Sequence, residues 1–183
     1  MANIVKRSMS NVDKPIFTEK QLVALSQHTP AKYIKERSGR GGRSFKYVTG
    51  AYIQARLNEI FGWAWSFEVK ESGFSPSKKS VYVLGRLTVV NPLTNQIMVA
   101  KEQFGSSEIK VSNGSELDFA DDMKSAATDA LKKCASLLGI AADIYADETT
   151  AGYIQEKVNA VVEYAKAKKA AEEVKDTAIE EEK

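Results

Sequence analysis

The stretch from Asp118 to Gly139, DFADDMKSAATDALKKCASLLG, constrains the fold more than any other. Met123, Ala126, Ala127, Ala130, Leu131, Cys134, Leu137 and Leu138 recur at i, i+3, i+4 and i+7, which is one stripe of an α-helix facing a core. The other side carries Lys124, Thr128, Lys132 and Ser136 in one i+4 row, with Asp129 and Lys133 beside it. Asp118, Asp121 and Asp122 lead the helix where carboxylates complement its dipole, and Gly139 supplies a left-handed stop. Such a helix packs on a sheet and still offers a small, basic face to something anionic.

Around it, the order of elements reads as an α+β domain. Thr18 and Gln21 make a capping-box pattern ahead of a short helix near 19–27. Thr29-Pro30 then looks like an N-cap and first helical residue, opening a second short helix through Arg37. A glycine loop, Ser38 to Arg43, is followed by a short alternating strand, Ser44 to Val48. Thr49 caps GAYIQARLNEIFG, a helix with core positions Ile53, Leu57, Ile60 and Phe61. Trp63, Trp65, Phe67 and Val69 alternate with polar or small residues in a half-buried strand, and Gly73 to Lys79 is a turn. Val81 to Val90 is apolar on both faces, as a central strand would be. Asn91 to Asn95 turns the chain into a strand from Ile97 to Phe104, and Gly105 to Glu116 is a polar loop of the kind that orders on contact with a partner. The core is thus β-α-β-β-β-α, an antiparallel β-meander packed on the long helix. Residues 1–17 read as a flexible arm, 18–148 as the domain, and 149–183 as a helical, charged tail. In that tail Ile154, Val158, Val161, Val162 and Ala165 form an apolar row before the terminal glutamates.

Charge is distributed unevenly. The net value is only +2, but residues 1–50 hold ten Lys/Arg against three Asp/Glu, while 118–150 hold three against seven and 151–183 six against eight. The N-terminal quarter is therefore a candidate polyanion surface, and the acidic C-terminus should keep away from one. No stretch is apolar for long enough to span a bilayer, and MANIVKRSMSNVDKP lacks the apolar centre of a signal peptide. A single cysteine fits a reducing cytoplasm.

Catalytic chemistry finds little support. One His and one Cys cannot make a zinc cluster; His28 reads as surface and Cys134 as a small core residue. No phosphate-binding G-x-x-x-x-G-K-[ST] loop occurs. Asp118, Asp121 and Asp122 are read as first-turn carboxylates rather than Mg²⁺ ligands. The expectation is a protein that is not an enzyme and takes no cofactor or metal.

Binding is better supported. Lys32, Lys35, Arg37, Arg40, Arg43 and Lys46 set six positive charges against one acid, Glu36, beside a glycine loop, which points to phosphate contact. Lys132, Lys133 and Lys124 read equally well as dipole-complementing lysines or as a second contact to an anion. Phe45, Tyr47, Tyr52, Phe61, Trp63, Trp65 and Phe67 cluster between the two groups. Most must be core, but an aromatic beside a basic groove stacks on unpaired bases, which favours single strands. Trp63 follows the helix-ending glycine, where exposure is plausible.

The run YIKERSGRGGRSFKYVTGAYIQARLNEIFGWAWSFEV, the strand meander, and then KSAATDALKKCASLLGIAADIYAD resembles the annealing domain of the Rad-fifty-two family over about residues 20–147. The family's glycine loop, "Y-x-x-G" strand end, "N-E-x-F-G" helix end, Trp and "K-E-A-x-T-D-A-L-K-R-A-x-x-x-x-G" helix correspond to Gly39–Gly42, Tyr47–Gly50, Asn58–Gly62, Trp65 and Lys124–Gly139. The absence of a long recombinase-binding C-terminus resembles the bacteriophage branch. The resemblance implies ATP-independent annealing of single-stranded DNA by a homo-oligomeric ring, in the cytoplasm of a bacterial host. It implies that Lys132 and Lys133 line a basic groove, and it leaves room for a host single-strand-binding protein or recombinase as a partner. The chain departs from the family where a third groove basic residue is replaced by Ser136. The groove arginine after the "Y-x-x-G" glycine is Tyr52, with Arg56 one turn further on, and the aromatic after "F-G" is Trp63.

The expected contacts to DNA are therefore Lys132, Lys133, Lys124, Arg40, Arg43, Lys46, Tyr52, Arg56 and Trp63. Two other readings stay open at this point: a passive single-strand-protecting protein, and an RNA-binding or assembly factor without annealing activity.

Overall fold

A computed structural model describes residues 16–38, 42, 44–77, 79–112, 115–116 and 118–145, and scattered positions between 152 and 170. The described positions of that last stretch are helical, but its apolar row lies outside the described residues, as do Arg40, Arg43 and the arm before Ile16.

Helix α1, Glu19–Leu25, starts as the capping box predicts: the Gln21 amide donates to Thr18 Oγ1 at 3.3 Å, and the Thr18 amide to Gln21 Oε1 at 3.0 Å. The Gln21 side-chain amide also reaches the Ile60 carbonyl at 3.2 Å, tying α1 to the next helix. Beyond it the expected second helix is absent. Only a 3₁₀ turn, Ala31–Tyr33, forms after Pro30, and Ile34 is already extended. The reason is non-local: Lys35–Ser38 is strand β1, paired antiparallel with β2, Ser44–Tyr47, across the glycine loop. Thr29, buried ahead of the turn, donates its amide and hydroxyl to Asp143 at 2.9 and 2.8 Å, anchoring the segment to the far end of the chain.

Helix α2 spans Gly50–Phe61, capped by Thr49 and closed by Gly62 in the left-handed conformation at φ 57°. All four expected core positions, Ile53, Leu57, Ile60 and Phe61, are buried. Strands β3 (Trp65–Phe74), β4 (Ser80–Val90) and β5 (Ile97–Glu108) then form one antiparallel sheet with β4 in the centre, as its two apolar faces require. Strands β3 and β5 both run further than their patterns suggested. Val81, Val83, Gly85, Leu87 and Val89 of β4 face inward and alternate with half-buried Tyr82, Leu84, Arg86, Thr88 and Val90. The polar loop expected at 105–116 is instead the end of β5 and a small hairpin, β6 (Val111–Ser112) with β7 (Ser115–Glu116).

Across this sheet lies α3, Phe119–Ser136, with Asp118 as its N-cap. Its buried face is made largely of small residues, Ala126, Ala130, Cys134 and Ala135 with Leu131, so helix and sheet approach closely. At Gly105 of β5 a Cβ would collide with the Ala126 carbonyl and the Ala130 amide, so only glycine fits. A short helix, α4 (Ala142–Tyr145), returns to the end of β2: the Val48 amide donates to the Tyr145 hydroxyl at 3.2 Å. The fold is α+β with antiparallel sheets, and its largest core cluster lies between α2, α3 and the inner face of the meander.

Candidate nucleic-acid interface

The β1–β2 ribbon sorts its side chains onto two faces. Lys35 lies opposite Tyr47 and Arg37 opposite Phe45, so these four share one face, while Glu36 and Lys46 pair on the other. Tyr47 identifies the first face as the one toward α3, because the Lys132 ammonium sits 5.6 Å from the centre of its ring. That is within the range of a cation–π contact. Burial holds the Lys132 pKa below that of an ordinary lysine; Asp129 opposes the shift, and the charge of Arg37 adds to it. Two or more cations held against one another are the arrangement an incoming phosphate relieves. Phe45, half exposed on the same face, extends the patch with an apolar surface.

Lys133 goes elsewhere. Its ammonium pairs with Asp129 at 3.0 Å and donates to the Phe104 carbonyl at 3.2 Å, at the free edge of β5. Asp129 in turn accepts from the Ser106 amide at 3.1 Å. The adjacent lysines thus diverge, Lys132 to the ribbon and Lys133 to the sheet edge.

Several expected site residues are held apart from this patch. Lys46 is on the opposite ribbon face, in register with Glu36. Lys124 lies two turns before Lys132, about 12 Å along the helix axis, and is paired with Asp121 at 2.7 Å. Arg56 is 14% exposed and spends its guanidinium on Glu59 at 2.6 Å, the Ala24 carbonyl at 2.6 Å and Gln27 Oε1 at 3.2 Å. Trp63 is 78% exposed, in a left-handed backbone at φ 71°, at the far end of α2. Twelve helical residues put it about 18 Å from the Gly50 end, at 1.5 Å per residue. Tyr52 is half-buried beside the patch, its ring centre 4.9 Å from that of Tyr33. Burial pushes its hydroxyl pKa up.

Lys35 and Arg37 belong to the basic group and Tyr47 to the aromatic cluster that the sequence shows, but none of the three was among the expected DNA contacts. Reading 29–37 as helix hid the alternation that places them together; the strand pattern K-E-R facing F-K-Y would have revealed it.

The recurring motifs have structural explanations. Asn58 accepts from the Trp65 indole N–H at 2.7 Å, fixing the helix end to the first strand of the meander. A Cβ at Gly50 would lie 2.8 Å from Thr128 Cγ2, so the glycine after β2 allows α2 to start against α3. Much of the spacing is packing, and it brings Lys132 to the ribbon.

No curated protein matches the chain in sequence. The family model described as "Rad52/22 family double-strand break repair protein" matches residues 18–162, most of its length. The chain belongs to the Rad52/22 family.

Proposed function

We propose that this protein binds single-stranded DNA along the strip formed by Lys35, Arg37, Tyr47 and Lys132, and anneals complementary strands without ATP in recombination and repair. The observation that carries the reading is the convergence of Lys132 and Arg37 beside an aromatic ring at the seam of ribbon and helix. Phosphate contacts of this kind bind any sequence, and neutralising two strands removes the repulsion that slows their pairing. Membership of a double-strand break repair family supports the same assignment. The working form is a homo-oligomeric ring that repeats the strip around its circumference, and its setting is that of the bacteriophage branch, the cytoplasm of a bacterial host. No catalytic residue or cofactor takes part in this mechanism.

The test is annealing of two complementary oligonucleotides in nucleotide-free buffer, with particle images of the protein alone and bound. Acceleration over the spontaneous rate is expected, together with closed rings. Binding without acceleration would identify a strand-protecting protein instead, and preference for RNA in competition would remove DNA from the assignment.

A further inference from the structure

Beside the strip, between the 3₁₀ turn and the first turns of α2, lies an open cavity of about 420 Å³. Its lining includes His28, Pro30, Tyr33, Thr49, Tyr52 and Ala55. The size falls in the range of small-molecule sites, about 300–1,000 Å³. Tyr33 and Tyr52 meet there with ring planes inclined by 35°. The Lys32 ammonium stands 4.8 Å from the Tyr33 ring centre. Arg56, also in the lining, is held to the wall by hydrogen bonds to Ala24, Gln27 and Glu59, and the Glu59 carboxylate offsets its charge. The chain links the cavity to the strip at two points: Thr49 in its lining follows Tyr47 by two residues, and Lys35 starts β1 two residues after Tyr33.

A strand whose phosphates follow Lys32, Lys35, Arg37 and Lys132 therefore runs close to the recess in which Tyr33 and Tyr52 meet. We propose that this recess takes one base of the bound strand, turned out against Tyr33 and Tyr52. This rests on the single-strand reading and adds a base contact to it. Every base has a π-face to set against the two rings, so sequence tolerance is retained although Gln27, Thr49 and Glu59 also line the recess. In an oligomer it would hold one base per protomer and leave the intervening bases free to pair.

The experiment uses the full chain and two strands of equal length and charge, one of thymidines and one of abasic sugar-phosphate units. Wild type is expected to bind the thymidine strand on the order of tenfold more tightly. That gap should close in Tyr33→Ala, and also in Ala55→Trp, which fills the recess from an exposed helix position without touching the strip. Equal binding of both strands by wild type would overturn the recess while leaving phosphate binding intact. A gap that survives in both variants would overturn it too. Failure to bind either strand would remove the single-strand reading itself.

Discussion

Asp122 accepts the backbone N–H of Lys110 at 3.0 Å with a side chain that is only 1% exposed. Its second oxygen accepts no hydrogen bond among the described residues and lies 3.6 Å from the Lys110 ammonium. A carboxylate in the first turn of α3 thus ties down the chain where β5 leads into the β6–β7 hairpin. Asp122→Ala removes the acceptor of a part-buried hydrogen bond, which costs about 0.5–1.5 kcal/mol, or up to about 3 kcal/mol for a bond to a charged group. Asp122→Asn keeps one acceptor and the volume, and should cost less. Urea denaturation of the two variants orders them, and hydrogen exchange at Lys110 should quicken in both.

Gly105 tests the close approach of helix and sheet. Gly105→Ala forces a methyl onto the backbone of Ala126 and Ala130. The helix must lift, at a cost of roughly 3 kcal/mol or more, the upper end for overpacking. Gly62→Ala has open space around it and only the strain of a positive φ to bear, about 1–2 kcal/mol. The order of the two midpoints in a denaturant titration checks the account; equal losses would mean that α3 yields freely.

How far the sequence reveals this molecule depends on how local the determinants are. The α2 cap at Thr49, its four core residues and its closing glycine are set within one helix and read correctly. The central place of β4 follows from its two apolar faces. Leu137 was expected in the core stripe but is half exposed, because the helix ends at Ser136 and the stripe ends with it. Residues 35–38 form a strand only because a partner lies beyond the glycine loop, and Asp122 is buried only because the β5–α3 connection folds back over it. At the site, Lys132 and Lys133 are equivalent in composition. Their separation depends on where β2 and the edge of β5 lie, which no periodicity within the helix reports.

That divergence separates their roles in binding. Lys132→Ala should weaken single-strand binding and lower the slope of log K against log salt by about 0.7, the value for one lost phosphate contact on a single strand. Lys133→Ala removes a pair to Asp129 and a donor to Phe104, so it should cost at most about 1 kcal/mol of stability and change the slope less. Lys46→Ala, on the opposite ribbon face, should leave the slope unchanged. Anisotropy titrations of a labelled strand at several salt concentrations would decide this. Equal slopes for Lys132→Ala and Lys46→Ala would return Lys132 to a purely structural part.

The lowered pKa of Lys132 gives the binding an alkaline limit. In the folded protein it loses its proton below 10.5, because burial disfavours the ammonium and Arg37 repels it, with Asp129 only partly compensating. Between the folded and unfolded pKa values the unfolded chain holds more protons, so the penalty that the charged form places on folding fades as pH rises. Binding runs the other way, since phosphates need the ammonium. Single-strand affinity of wild type should therefore fall at a pH below 10.5, before the exposed lysines discharge. Lys132→Arg, which stays charged, should hold its affinity over that interval. The comparison is made at constant salt from neutral pH upward; the two curves falling together would show that Lys132 does not contact the strand.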